Sequence, residues 1–228
     1  LLTAPGHAAF REEARRLAER TAAPGALVSL AMLLVKATAP GAPDIYRGTE
    51  LWDLSLVDPD NRRPVDYELR QQWLEEVEKG SIPNEDLRSD WKSGKIKFFT
   101  LYHCLQARRD FEGIDNAEYV PLAIMNQESR IKNLVAFLRR HKNQQLLIIA
   151  PMFPSDKIAS FELPVGNVWG DLKIDIPEPQ SPLSGDSAGT VEGQKTWRNI
   201  FTGEELIGQT LMVKDILKEF PVAVLEGM

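Results

Sequence analysis

Residues 40 to 66 read PGAPDIYRGTELWDLSLVDPDNRRPVD. Carboxylates stand at Asp44, Glu50, Asp53, Asp58, Asp60 and Asp66. Guanidinium groups stand at Arg47, Arg62 and Arg63, and large rings at Tyr46 and Trp52. Carboxylates accept hydrogen bonds from hydroxyls, and arginine offers a planar fork of donors. Aromatic faces pack on the apolar faces of sugar rings. Together these groups suit a glycan-binding loop at the mouth of a barrel. The competing reading is a polar loop whose charges pair with each other and cap helices. Asp60 and Asn61 follow Pro59, where an Asx turn is as good a use as ligand contact. Asp66 precedes a helical period and suits an N-cap. Arg62 and Arg63 are adjacent and face opposite ways in extended chain, so at most one meets a ligand directly. Tyr46 fits the mouth or the core equally, and Trp52 fits core better than a sugar platform.

Other clusters carry less. LRRHK at 138–142 reads as a solvated hairpin end, and GKIK at 94–97 similarly. Trp169 and Trp197 lie in strand patterns and read as core. Cys104, the single cysteine, sits among Phe98, Phe99, Leu101 and Leu105, which makes it a core residue and excludes an internal disulfide framework. His7, His103 and His141 are scattered without metal-ligand spacing. There is no glycine-rich phosphate loop, zinc motif or nucleophile elbow, so neither metal nor cofactor is expected.

The elements around the stretch follow from periodicity. AAFREEARRLAE, residues 8–19, places Phe10, Ala14, Leu17 and Ala18 on one face of a helix, and TAAPG should stop it. ALVSLAMLLVKAT is apolar nearly all round and predicts a second, buried helix. Its apolar run from Ala26 to Val35 is too short to argue a membrane span. Asp44 to Tyr46 could form a short buried strand, and Glu50 to Pro64 a long polar loop of the kind that is often functional. VDYELRQQWLEEVEKG and GKIKFFTLYHCLQARRDF predict further helices, the first with Gly80 as C-cap. From about Gly113 the chain changes to short segments rich in β-branched and aromatic residues, separated by turns. These are AEYVPLAI, NLVAFLRRH, QQLLIIAPMF, VWGDLKIDI, KTWRNIFTG and FPVAVLE, which predict an antiparallel sheet or sandwich. PEPQSPLSGDSAGTVEG reads as an exposed loop.

The 228 residues suit one large domain or two small ones. With 27 basic and 33 acidic side chains the net charge is -6, which argues against a broad nucleic-acid surface. The predicted division is a helical part, 1–113, and a strand-rich part, 114–228. Four helices and one tiny strand make an odd independent domain. The first half therefore reads as the end of something larger, such as a (β/α)₈ barrel of about 250 residues. The sequence shows neither an initiating methionine nor a signal peptide, and its start reads as that of a fragment or processed product.

PGAPDIYRGTE resembles the region around the eighth barrel strand in the α-amylase superfamily of glycoside hydrolases. ELWDLSLVDPDNRRPVDY resembles, more specifically, the malto-oligosyltrehalose synthase family. FFTLYHCLQARRDF, EYVPL, WGDLKIDIP, WRNIFTGEEL and FPVAVL extend that resemblance in order along nearly the whole chain. The resemblance implies an α/β plus all-β architecture. Its parts would be the C-terminal end of a (β/α)₈ TIM barrel, largely helical here, then an antiparallel β-sandwich-like domain. It implies an intramolecular transglucosylation turning the reducing-end α-1,4 linkage of a maltodextrin into an α,α-1,1 linkage. The route would be a retaining mechanism with an aspartate nucleophile and a glutamic acid proton donor. Those carboxylates would lie before Leu1, so no catalytic residue is assigned here. By position, Tyr46, Arg47, Glu50, Asp58, Asn61, Arg62 and Arg63 are the expected substrate-binding residues. Arg47 departs from the family, where glutamine is common. The implied partners are a maltooligosaccharide and the N-terminal part of the barrel, in a bacterial cytoplasm, with no membrane or nucleic acid. Helix faces that the barrel would cover could drive self-association. The alternatives are another hydrolase or transferase of the superfamily, or a non-catalytic glycan-binding or structural module.

Overall fold

The run QQLLIIAP has apolar side chains at successive positions, so as a strand it is stable only if both its faces are covered. In the computed structural model, which describes residues 5–56, 62–125, 133–152, 162–178 and 195–228, this is what happens. Strand β4 (Gln144–Pro151) lies inside an antiparallel sheet with β1 (Glu118–Leu122), β3 (Leu134–His141), β6 (Thr196–Asn199), β7 (Glu205–Ile207) and β9 (Ala223–Gly227). The strand order is β1-β3-β4-β9-β6-β7. A second sheet, in the order β2-β5-β8, is built from β2 (Ile124–Met125), β5 (Lys173–Asp175) and β8 (Thr210–Met212). Leu138, Leu147, Leu225 and Trp197 of the large sheet pack with Ile124, Ile174 and Leu211 of the small one, and with Trp169. The sandwich-like pairing and the buried tryptophans agree with the sequence reading. β7, β8 and the short helix α5 (Val213–Ile216) were not foreseen, being only three or four residues long.

The other face of the large sheet carries Phe137, Leu146, Ile148 and Val224, and it packs on helices. These are α1 (Ala8–Thr38), α2 (Tyr67–Glu78), α3 (Asn84–Ser89) and α4 (Lys95–Asp110). One apolar cluster therefore runs from Leu27 and Leu30 through Phe99 and Cys104 to Ile148 and Val224, crossing residue 113. Cys104 is free and buried, as expected, and burial pushes its thiol above the ordinary range.

Four expectations need correction. First, TAAPG does not stop the helix. α1 is continuous, with Pro24 inside it. Proline removes the hydrogen bond to the Arg20 carbonyl, at a cost of about 3 kcal/mol. Arg20 is exposed, so water can serve that carbonyl. Leu27, Leu30 and Leu34 are fully buried just beyond. At about 1.5–3 kcal/mol for each such side chain, their burial outweighs the proline. The joined helix is long and apolar enough to cross a membrane by composition, but half of its most apolar window is buried inside the protein. The first turns differ. Phe10 and Leu17 are about 60% exposed, so the face predicted to be buried there is uncovered.

Second, Asp44 to Tyr46 is extended but forms no strand, since no described strand lies beside it to complete a ladder. Third, LRRHK is no solvated hairpin end. Arg139 and Arg140 lie inside β3, 3% and 9% exposed. Each spends a guanidinium nitrogen on a carbonyl, Arg139 on Ile114 and Arg140 on Pro177. The turn itself is at Lys142, which takes a positive φ of 53°. Fourth, GKIK is not a solvated surface run, because Ile96 is fully buried and Lys97 is half-buried. The segment read as an exposed loop, 177–193, lies largely outside the described residues.

His103 on α4 faces the helix–sheet core. Its ring centroid is 4.3 Å from that of Phe99 and 5.2 Å from that of Tyr102, and Phe201 lies edge-on at 6.3 Å. Burial lowers its pKa to about 4. The folded state therefore binds this proton less readily than the unfolded chain, whose histidine titrates near 6.5. The resulting stability is fully present above about pH 6.5 and is lost as pH falls toward 4. Replacing His103 with Phe should flatten the fall of the urea midpoint between pH 6.5 and 4. An unchanged pH dependence would show that the ring is not held neutral by burial.

Candidate functional site

The acid-rich stretch leaves α1 and is held by arginines from two other helices. Arg108 of α4 donates to the carbonyls of Ala37 at 2.9 Å, Ala39 at 2.7 Å and Gly41, and reaches Asp115 at 3.2 Å. The Gly41 N–H donates to the same Asp115 carboxylate at 2.8 Å. This satisfies carbonyls at the end of α1 that the helix cannot serve. A turn follows, in which the Thr49 N–H and hydroxyl both donate to the Tyr46 carbonyl, at 3.0 and 2.6 Å.

Arg70 of α2 closes the next part. Its Nε donates to Glu50 at 3.0 Å, its Nη2 to the Gly48 carbonyl at 3.2 Å and its Nη1 to the Asp66 carbonyl at 2.9 Å. One guanidinium thus ties together both ends of the loop. The Asp66 side chain accepts from the Leu69 N–H at 2.9 Å and is the N-cap of α2, as one of its two readings required. Asp53 accepts from the Ser55 N–H and hydroxyl, an Asx-type turn. These two bonds, the hydroxyl's foremost, hold Asp53 below the usual carboxylate range, with Arg63 and Lys97 adding to them.

The loop then lies on the start of α4. Trp52 donates its indole N–H to the Trp91 carbonyl at 2.7 Å, and Lys97 donates to the Leu51 carbonyl at 2.9 Å while its ammonium sits 5.5 Å from the Trp52 ring centroid. Gly94 makes this approach possible. Its φ is +88°, and a Cβ there would lie 3.2 Å from both Leu51 Cβ and the Trp52 backbone nitrogen. Trp52 is half-buried and packed against the helix–sheet core, so it acts as a wall.

Two adjoining clefts border the loop. The larger, about 870 Å³, lies between α1 and residues 51–54 and 91–97, with Ser29, Trp52, Asp53, Trp91 and Lys97 in its lining. The smaller, about 340 Å³, is lined by Met32, Lys36, Asp44, Tyr46 and Thr49 among others, and shares Ser29 and Lys97 with the first. Lys36 donates to the Asp44 carbonyl at 2.9 Å. Burial pulls Lys97 below the ordinary lysine range and Lys36 pushes the same way, while Asp53 and Glu50 oppose them. Donors, carboxylates and aromatic rings thus line a cavity that could hold a polyhydroxylated ligand.

The expected binding residues divide. Tyr46 is exposed on the smaller cleft, and Arg47 is exposed in the turn beside it. Glu50 is engaged by Arg70. Arg62 and Arg63 are exposed where the loop approaches α2. Asp58 and Asn61, with Asp60, lie outside the described residues. The sequence reading missed Ser29, Lys36 and Lys97 as lining groups. Each sits on a helix whose period marks it only as a non-core position, and nothing local to it signals a cleft. Among the described residues no cluster of histidine, cysteine or carboxylate could hold a metal ion.

The Arg70–Glu50 pair is only 13% and 22% exposed, so breaking it should count for more than an open surface pair. A double-mutant cycle with Arg70→Met and Glu50→Gln should give a coupling energy of about 1 kcal/mol or more in urea unfolding. A coupling near zero would mean that the pair does not hold the loop.

No protein-family model matches the chain. A Mycobacterium tuberculosis (strain H37Rv) protein designated a maltooligosyl trehalose synthase is 56% identical over 54 residues, 24% of this chain and 7% of that protein. Among solved structures, the maltooligosyltrehalose synthase of Arthrobacter ramosus matches with a TM-score of 0.70 and 29% identity, over 96% of this chain and 24% of that enzyme. The glycosyltrehalose synthase of strain DSM5389 matches with a TM-score of 0.58 over 96% of this chain, a likeness of fold at 20% identity. The chain therefore spans about a quarter of the length of these solved enzymes. Its mixed α/β arrangement of helices and antiparallel sheet is similar to the C-terminal region of such folds. The chain is thus similar, along nearly its whole length, to part of a maltooligosyltrehalose synthase, and most strongly so over one 54-residue stretch.

Proposed function

We propose that this chain is the C-terminal portion of an enzyme that converts the reducing-end α-1,4 linkage of a maltodextrin into an α,α-1,1 linkage, giving a maltooligosyl trehalose. The observation that carries the reading is the likeness to the Arthrobacter ramosus enzyme along 96% of the chain. Residues 1–113 would close a (β/α)₈ barrel and 114–228 would form the terminal β domain. The absence of a ladder at Asp44 to Tyr46 fits a segment whose partner strands belong to the rest of the barrel. The uncovered face of Phe10 and Leu17 fits the same arrangement. Exposed on their own, such faces would favour self-association.

In this reading the bond is broken and remade by carboxylates on other barrel strands, by a retaining displacement. The glucose released must stay bound, reorient, and attack through its own anomeric hydroxyl. That requires a pocket rich in hydrogen bonds from which water is excluded. Tyr46, Arg47, Glu50, Asp58, Asn61, Arg62 and Arg63 would shape that pocket. Lys97 and Lys36 would add donors from the clefts beside them. Arg47, where the family commonly has glutamine, brings a longer and charged group to the mouth. No cofactor is required, and the enzyme would work on maltodextrins in the cytoplasm.

The full-length protein incubated with maltopentaose should lose reducing ends without releasing an equal amount of glucose. The 228-residue chain alone should leave the reducing ends unchanged. A rise in reducing sugar from the full-length protein would point instead to a hydrolase of the same superfamily. Conversion by the 228-residue chain would overturn the placement of the catalytic carboxylates elsewhere.

A further inference from the structure

Helix α1 carries two apolar stripes and buries only one of them. Ala23, Leu27, Leu30, Leu34 and Ala37 recur with the helical period and are buried in the helix–sheet core. Pro24, Val28, Ala31, Met32 and Val35 form a second stripe, turned from the first by about 100°. Val28, Met32 and Val35 are 38%, 67% and 42% exposed. A helix that is apolar on both sides is expected to be covered on both.

The second stripe is one wall of a groove of about 810 Å³. The other wall belongs to the large sheet. Val135 and Ala150 stand opposite one another on β3 and β4, and Pro151 and Met152 follow. Ile148, Ala150 and Met152 alternate onto the face that packs on the helices. Ile148 is fully covered there, whereas Met152 is 37% exposed. Of the described residues that line the groove only Lys36 is charged. The groove is open and has room for several side chains, and an apolar hollow of this size marks a surface for another stretch of protein.

Its position says which stretch. The groove runs into the smaller cleft beside the acid-rich loop and shares Val28, Met32 and Lys36 with it. That cleft holds Asp44 to Tyr46, the extended segment with no described strand beside it. Polypeptide that supplied a neighbour to Asp44–Tyr46 would also reach the second stripe of α1, so one cover serves both. The chain spans 24% of the Arthrobacter ramosus enzyme that it matches. In the function proposed above, most of the polypeptide therefore lies upstream, tethered to α1. A tethered segment acts at a far higher effective concentration than a second copy or a free peptide.

We infer that this groove is the seat of the upstream part of the full-length polypeptide, and that the seat spans both parts of this chain. It uses Val28, Met32 and Val35 of α1 together with Val135, Pro151 and Met152 of the strand-rich part. The inference rests on reading the chain as the C-terminal portion of a longer enzyme. It adds that the upstream part grips the strand-rich part directly, and not only through the helices. The end of α1, from which the acid-rich loop departs, is then held from two sides.

The test is photo-cross-linking of the full-length protein grown with photo-methionine, whose diazirine changes the methionine side chain little in shape. Linked peptides are identified by mass spectrometry. Mixing light- and heavy-isotope protein separates links within one polypeptide from links between copies. The probes at Met32 and Met152 should both link to peptides from upstream of Leu1, with a yield several-fold above that of Met228. Met228 is 61% exposed and is not among the groove residues, so it reports chance contact. Links from Met152 confined to these 228 residues, links between copies, or a yield at either position no higher than at Met228 would each overturn the inference. The maltopentaose assay is independent of this result. Upstream links in an enzyme that releases reducing sugar would keep the surface and reject the proposed reaction. Loss of reducing ends without upstream links from Met152 would do the reverse.

Discussion

The structure depends on one constraint: the middle of the large sheet cannot face water on either side. Leu146 to Ala150 of β4 and Val222 to Leu225, running into β9, are buried almost completely. Leu147 and Leu225 need the small sheet, while Leu146, Ile148 and Val224 need the helices. An antiparallel sheet commonly leaves one face solvated. Here apolar residues at successive positions forbid that. The helices are thus half of the sheet's covering, and the sheet is in turn what buries Leu27, Leu30 and Leu34 of α1.

That coupling reaches the acid-rich loop. Once α1 is seated on β4 and α4, its last turn is fixed, and Arg108 locks its carbonyls to α4 and to Asp115. The loop leaves from a rigid point. Arg70 then gathers Gly48, Glu50 and Asp66 from opposite ends of the loop with one planar group. A lysine, with a single ammonium, could not span three acceptors spaced in that way. The exposed Tyr46 and Arg47 are therefore presented from a loop that is pinned on both sides.

Much of this architecture was legible because burial leaves a period. The apolar runs of β3, β4 and β9 and the helical repeats of α2 and α4 each announce their element, and Asp66 announces a helix start. The failures have physical causes. Pro24 signals a stop, but tertiary burial beyond it is worth more than the lost hydrogen bond. Arg139 and Arg140 look like solvated charge, yet each finds a backbone carbonyl outside the sheet, of Ile114 and Pro177, which local sequence does not reveal. Asp44 to Tyr46 has a strand's composition and lacks a neighbour. In the site, residue types were readable but partners were not. That Glu50 would be taken by Arg70, twenty residues on, is a fact of packing.

The partners also bear on what the acids can do. A general acid must hold a proton near the working pH, which calls for burial away from cations or beside another carboxylate. Asp53 has the reverse environment. It accepts two hydrogen bonds from Ser55 with Arg63 and Lys97 adding attraction, so it stays ionised. Asp66 is spent on a helix start, and Glu50 on a guanidinium with little access to water. Each of these carboxylates is tied to the backbone or to a helix. Such groups can fix a wall of acceptors and set the directions in which hydroxyls must point. In the function proposed for it, a stretch so rich in acids would hold a sugar in one orientation, which a reaction that must retain and turn its released glucose needs as much as it needs bond cleavage.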